Sequence, residues 1–182
     1  MQFEKFSLDG LVLIKPKIFQ DERGFFYDTY HKEKFTQNGI IFNIAQQNHS
    51  GSKKNILRGL HYQIKNSQGK LVRVLKGEIF DVAVDLRKLS PTSGKWEGIV
   101  LSDENRHQLW VPPGFAHGFY VISDWAEVEY CTTDFYAPEY ERTIVWNDPD
   151  LDIRWPIRDG MKPILSEKDN QGRLFREAEI YE

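Results

Sequence analysis

Five histidines stand in the chain, His31, His49, His61, His107 and His117, and two of them keep unusual company. His61 lies in Leu57-Arg58-Gly59-Leu60-His61-Tyr62-Gln63, and His117 in Pro112-Pro113-Gly114-Phe115-Ala116-His117-Gly118-Phe119. Apolar residues flank both, so each is expected at a buried edge or cavity, where an imidazole needs a polar partner or a task. A neutral imidazole accepts a proton near pH 7 without large tuning, which makes His61 the natural general base. Proton abstraction beside a ketone also needs a cation or donor where the enolate oxygen forms. Lys70, in Ser67-Gln68-Gly69-Lys70-Leu71, is the candidate, with Gly69 giving backbone freedom just before a strand. An acid on the opposite face of the carbon completes the set. In Ala126-Glu127-Val128-Glu129-Tyr130-Cys131-Thr132 alternation turns Tyr130 inward with Val128 and leaves Glu127 and Glu129 outside. Residue type alone also allows two satisfied core histidines and a packing tyrosine with a bonded hydroxyl.

A metal site is the competing chemistry. Jelly rolls of the cupin type carry metals on histidines from two such segments, and Pro112-Pro113-Gly114-Phe115-Ala116-His117 fits the second pattern, Pro-x-Gly-x-x-His. The first pattern, His-x-His followed by Glu, is broken: His61-Tyr62-Gln63 offers one usual ligand. No metal is therefore expected. Two arginines near these segments, Arg23 in Asp21-Glu22-Arg23-Gly24-Phe25-Phe26 and Arg58 before His61, suit an anionic ligand such as a diphosphate, or simply a surface ion pair. Strict alternation puts Arg58 and His61 on opposite faces, so both serve one cavity only if Gly59 marks a bulge or twist.

These side chains need a scaffold, and the sequence reads as strands. The 182 residues are 40% hydrophobic, enough for one core and too few for two full domains. Aromatics reach 14%, with 13 Gly and 8 Pro as punctuation, which favours a β-rich fold. Phe80 to Leu86 alternates, setting Phe80, Val82, Val84 and Leu86 on one face, and Leu71–Leu75 precedes it across the turn Lys76-Gly77-Glu78. Further strands are expected at Trp96–Leu101, Gln108–Val111, His117–Ile122, Ala126–Thr133 and Thr143–Trp146. Short helices are expected from His31 to Asn38, ending at Gly39, and within Ser166–Glu179. The expected fold is all-β, one jelly-roll domain over residues 1–182. With 24 basic against 27 acidic residues the net charge is −3, which argues against a nucleic-acid-coating role. No apolar run is long enough for a membrane span, the N-terminus lacks signal-peptide character, and the single Cys131 excludes a disulfide framework, so a cytoplasmic protein is expected.

Taken together the segments resemble the dTDP-4-dehydrorhamnose 3,5-epimerases, nucleotide-sugar epimerases acting on dTDP-4-keto-6-deoxyglucose. The resemblance runs from Asp21-Glu22-Arg23-Gly24-Phe25-Phe26 through Gln46-Gln47-Asn48-His49-Ser50, Leu57-Arg58-Gly59-Leu60-His61 and Gln68-Gly69-Lys70-Leu71-Val72-Arg73. It continues over Gly77 to Asp85 and Pro113 to Phe119, and closes at Trp146-Asn147-Asp148-Pro149, Trp155-Pro156 and Leu165-Ser166-Glu167-Lys168-Asp169.

The resemblance implies a metal-free cupin-type jelly roll, a homodimer, no cofactor and a place in dTDP-rhamnose biosynthesis. It implies that His61 removes the protons at C3 and C5, Asp169 supports the imidazole, Lys70 stabilises the enolate oxygen and Tyr130 protonates the opposite face. Substrate grip falls by the same resemblance to Arg23, Asp28, Gln46, Gln47, Asn48, Arg58, Lys70, His117, Glu141 and Lys168. The family usually has Glu where Asp28 stands, and the tail Asn170-Gln171-Gly172-Arg173-Leu174-Phe175 fits its pattern loosely. The chemistry needs no redox partner, because the substrate ketone is itself the electron sink. The alternatives are a C3-only epimerase, a 3,4-ketoisomerase, and a non-catalytic sugar-nucleotide binding module.

Overall fold

The computed structural model describes residues 1–41, 43–158 and 160–182. Its strands are β1 (Gln2–Lys5), β2 (Val12–Lys15), β3 (Phe19–Asp21), β4 (Gly24–Phe26), β5 (Gln46–Lys53), β6 (Leu57–Gln63) and β7 (Lys70–Lys76). They continue with β8 (Glu78–Asp85), β9 (Trp96–Ser102), β10 (Gln108–Val111), β11 (Phe115–Val121), β12 (Trp125–Thr132) and β13 (Glu141–Thr143). A six-stranded sheet runs β1-β2-β10-β7-β12-β5 and a five-stranded one β13-β6-β11-β8-β9, every pairing antiparallel, while β3 and β4 form a separate hairpin. This is the expected cupin-type jelly roll.

Three apolar layers hold the sheets. The inner one lies between them, joining Val72, Val74, Leu109 and Val128 of one sheet to Ile79, Ala83, Phe115 and Phe119 of the other. The outer face of the five-stranded sheet carries Leu57, Leu60, Val82, Val84 and Tyr120, covered by the C-terminal segment through Ile144, Leu151, Trp155 and Phe175. Phe80, Val82, Val84 and Leu86 share a face as the alternation requires, and that face points outward onto this segment. The opposite set includes Ile79 and Ala83 of the inner core and the fully buried Asp81. The third layer sets Val12, Ile14, Leu71 and Trp110 against Phe35 of α1 (Lys32–Gln37) and Ile40. His31 caps α1 by accepting the Lys34 N–H, and Gly39 ends it at φ +82°. Each such fully buried large side chain contributes about 1.5–3 kcal/mol.

Strands β1 to β5 were not expected from the sequence, and one expected strand is displaced. The strand expected over Thr143–Trp146 lies earlier, at Glu141–Thr143, delivered by a 3-10 turn at Pro138–Tyr140 and paired with Gln63, Tyr62 and His61. After Thr143, Ile144 still exchanges hydrogen bonds with Leu60, but Val145 turns to Arg173 and Trp146 packs under the C-terminal segment, so hydrophobic content there marks packing. Strand β5, Gln-Gln-Asn-His-Ser-Gly-Ser-Lys, has no apolar residue to betray it. Pairing with β12 along all eight residues makes it a strand, tertiary context overriding propensity.

Candidate active site

Between the sheets, bordering the inner core, opens a cavity of about 560 Å³. Its walls come from β5, β7 and β12 on one side and β6 and β11 on the other, with β13 and α2 (Glu167–Asn170) at the rim.

Strand β6 reaches this cavity through a bulge. His61 pairs with His117 of β11, but Phe119, two residues on, pairs with Arg58, three residues back, so β6 carries one residue more than its partner. The extra residue lets both Arg58 and His61 line the cavity, which regular alternation forbids. Gly59 makes the turn at φ +121°, and a Cβ there would stand 2.5 Å from Gly118 Cα and 2.8 Å from the His117 carbonyl. Only glycine fits that conformation and that contact.

The His61 ring donates from Nε2 to Asp169 Oδ1 at 2.5 Å, which leaves Nδ1 with the free lone pair. Asp169 sits in the first turn of α2. Ser166 caps that turn, accepting the Asp169 N–H at 3.1 Å and donating its hydroxyl to Asp169 Oδ2 at 2.7 Å. Burial opposes ionisation of Asp169, but hydrogen bonds from His61, Ser166 and the Gly59 N–H, with the His61 charge, hold its pKa below the usual carboxylate value. Burial outweighs the Asp169 contact for His61 and lowers its pKa, aided by the charges of Lys168 and Lys70. A neutral imidazole backed by an anionic carboxylate follows.

Lys70, 8% exposed, opens β7 opposite Thr132 and Val111. Gly69 is needed for space: a Cβ there would meet the Trp110 ring at 2.7 Å, and its φ is not positive, so the expected backbone freedom is not its role. Lys70 Nζ donates to the His61 carbonyl at 3.5 Å, and burial lowers its pKa to about 8 against the charges of Asp81 and Glu141. Tyr130 packs on the inner core beside Val128 and lines the cavity from the sheet facing His61, while Glu129 points outward to Arg73 at 2.6 Å. Burial raises the Tyr130 pKa, and the Arg58 charge works against that rise.

Of the residues expected to grip substrate, Gln46, Asn48, Arg58, Lys70, His117, Glu141 and Lys168 all line the cavity. Gln46 donates to Asn48 at 2.7 Å, Arg58 donates to Ser52 at 3.0 Å, and Lys168 pairs with Glu141 at 2.8 Å. Gln47 is exposed and does not line the cavity, as β5 alternation demands once Gln46 and Asn48 point in. Arg23 and Asp28 are also outside it. Arg23, its side chain 90% exposed, pairs with Asp21 at the tip of the β3–β4 hairpin, and Asp28 pairs with Lys34 at 3.1 Å. Sequence reasoning missed Tyr136, whose hydroxyl donates to Glu141 at 2.8 Å on the cavity wall, and Ser166. The Ser166-x-x-Asp169 spacing of a capping box was the available signal for Ser166. Among the described residues no three His, Cys, Asp or Glu side chains gather as metal ligands, and no helix is long and apolar enough to cross a membrane.

A half-buried base, a buried cation and a protonated phenol around one cavity suit proton removal beside a carbonyl and return to the opposite face. Comparisons with known proteins agree. The dTDP-4-dehydrorhamnose 3,5-epimerase of Pseudomonas aeruginosa is 52% identical over 182 residues, covering 100% of this chain and 99% of that protein. The structure of a dTDP-6-deoxy-D-glucose-3,5-epimerase from Legionella pneumophila, in complex with dTDP-4-keto-L-rhamnose, superposes with a TM-score of 0.93. Its identity is 47%, over 98% of this chain and 94% of that one. A 3′-monoepimerase from Streptomyces bikiniensis in complex with dTDP-quinovose is 34% identical at a TM-score of 0.87, over 94% and 86% of the two chains. With the family model for dTDP-4-dehydrorhamnose 3,5-epimerase matching residues 5–177, the chain belongs to that family.

Proposed function

We propose that the protein inverts C3 and C5 of dTDP-4-dehydro-6-deoxy-D-glucose to give dTDP-4-dehydro-L-rhamnose, as a step of dTDP-L-rhamnose biosynthesis. The observation that carries this reading is His61, held by Asp169 on one wall of the cavity, with Tyr130 on the facing sheet. His61 Nδ1 takes the proton from the carbon next to the C4 ketone, and the electron pair of the broken C–H bond passes to the ketone oxygen. The Lys70 ammonium stabilises that oxyanion. Tyr130 then gives its proton to the opposite face of the carbon, and the phenolate, eased by the Arg58 charge, regains a proton from solvent as His61 loses one. Repetition at the second carbon completes the reaction with no net redox change and no cofactor.

The same proposal assigns substrate binding to Gln46, Asn48, Arg58, His117, Glu141 and Lys168, whose side chains bring the cations and amides a nucleoside diphosphate needs. Arg23 and Asp28 then contribute from a second copy in a homodimer. The hairpin that carries Arg23, with Asp28 just beyond it, stands clear of its own cavity and bares Phe19, Phe25 and Phe26, 54%, 56% and 68% exposed. A cytoplasmic location fits a nucleotide-sugar substrate and the free thiol of Cys131. A metal has no part in the proposed steps, and chelator treatment is expected to leave turnover unchanged.

The test is incubation with the substrate in heavy water without a downstream reductase, the label located by NMR. Deuterium at both C3 and C5 is expected. Label at C3 alone would replace the double inversion with a single one, and tight binding without label would leave a binding module.

A further inference from the structure

Beside the His61–Asp169 pair the cavity holds a second carboxylate–imidazole pair that the proposed steps do not use. His117 stands opposite His61 across the β6–β11 ladder, and its Nε2 donates to Asp81 Oδ1 at 2.8 Å. Asp81 is fully buried at the middle of β8, and Oδ2 has no hydrogen-bond partner among the described residues. An unmatched carboxylate oxygen in such a place is costly and calls for a compensating charge or a role. The cation that feels it is Lys70, which has no ion-pair partner among the described residues and for which Asp81 is the leading favourable charge.

We propose that Asp81 is a positioning residue of this site, one buried carboxylate that orients the His117 ring through Oδ1 and whose charge supports the Lys70 ammonium in the same cavity. The inference rests on the epimerase reading above. Lys70 is faced by Asp81 from β8, Glu141 from β13, Lys168 from α2 and His61 from β6. Glu141 is engaged by Lys168 and Tyr136. Asp81 is therefore the negative group with an uncommitted oxygen, and the reaction depends on it to hold Lys70 charged in a site that burial otherwise makes hostile to a cation. His117, held at Nε2, keeps Nδ1 for the ligand.

The experiment is the pH dependence of kcat and kcat/KM, measured as deuterium exchange into dTDP-4-keto-6-deoxyglucose, for the intact protein and for Asp81→Asn, a near-isosteric change. Exchange by the unaltered protein tests the epimerase reading by itself. The proposal expects the alkaline limb of the variant to move to lower pH. A displacement of about one unit gives roughly a tenfold rate loss at pH 9 and less than about twofold at pH 6.5, mostly in kcat. A uniform loss at every pH, or a limb left in place, overturns it, because a purely structural role does not move a titration. Should Asp81→Asn fail to fold, His117→Leu, which carries no donor, supplies the converse: freeing Oδ1 must move the limb upward, and an unmoved limb overturns the proposal.

Discussion

Replacing Lys70 with Met should make the protein more stable and nearly inactive. Lys70 is 8% exposed, and its pKa falls from 10.5 to about 8 because burial disfavours the ammonium. Met keeps the length and apolar stem of the side chain and removes the charge. A difference of this size between folded and unfolded chains corresponds to about 3 kcal/mol of destabilisation carried by the charged lysine. The sign follows from linkage. Between pH 8 and 10.5 the unfolded chain binds the proton that the folded one has released, so stability rises with pH across that window, and the penalty is complete below it. Lys70→Met should thus gain about 3 kcal/mol at pH 7, roughly 6–12 °C in Tm for a chain of this size, and nothing above pH 10.5. Loss of the donor at the enolate oxygen should cost about 10²–10³ in kcat. Thermal melts at pH 7 and at pH 10.5, alongside exchange kinetics at neutral pH, decide the matter. A variant no more stable than the parent at pH 7, or equally stabilised at both pH values, would refute an ionisation penalty at this position.

Other outcomes are expected from the same geometry. Tyr130→Phe should lower product formation by about 10²–10⁴ while initial proton loss to solvent survives; equal damage to both would remove the phenol as the acid. Ser166→Ala strips the cap of α2 and one hydrogen bond from Asp169, costing about 1 kcal/mol in stability and lowering kcat more than it raises KM, with Thr restoring both. Asp85 is fully buried, and although burial opposes its ionisation, Arg87, Ser90 and Thr92 together pull its pKa to about 2. That lowered value contributes about 2 kcal/mol above pH 4, lost as the pH falls toward 2. Acid unfolding of Asp85→Asn should accordingly show a shallower pH dependence than the parent, and an identical slope would discount this network.

The sequence announced its chemistry more clearly than its scaffold. His61, Lys70 and Tyr130 were legible because each is a reactive type in a segment whose neighbours imply burial, and alternation alone turned Tyr130 inward. The Arg58–His61 conflict was legible too, and the Gly59 bulge resolves it. Strand β5 was not legible: its eight polar residues carry no period-2 hydrophobic signal, although they bring Gln46 and Asn48 to the cavity. The pairing of His61 with Asp169 spans 108 positions, and only the family resemblance, never local pattern, could suggest it. Asp81 stayed hidden for another reason. In an alternating strand a polar residue reads as solvent-facing, whereas here both faces of β8 are covered.

Among the described residues all thirteen strands end by Thr143, yet Asp169 comes later, on the segment that closes over the outside of the five-stranded sheet. A chain stopped at Thr143 would possess His61, Lys70 and Tyr130 but would lack the part of the cavity wall that runs from Ile164 to Asp169, and with it the carboxylate to which the His61 ring donates. During synthesis, competence therefore arrives last, when the tail docks through Trp155, Phe175 and Tyr181.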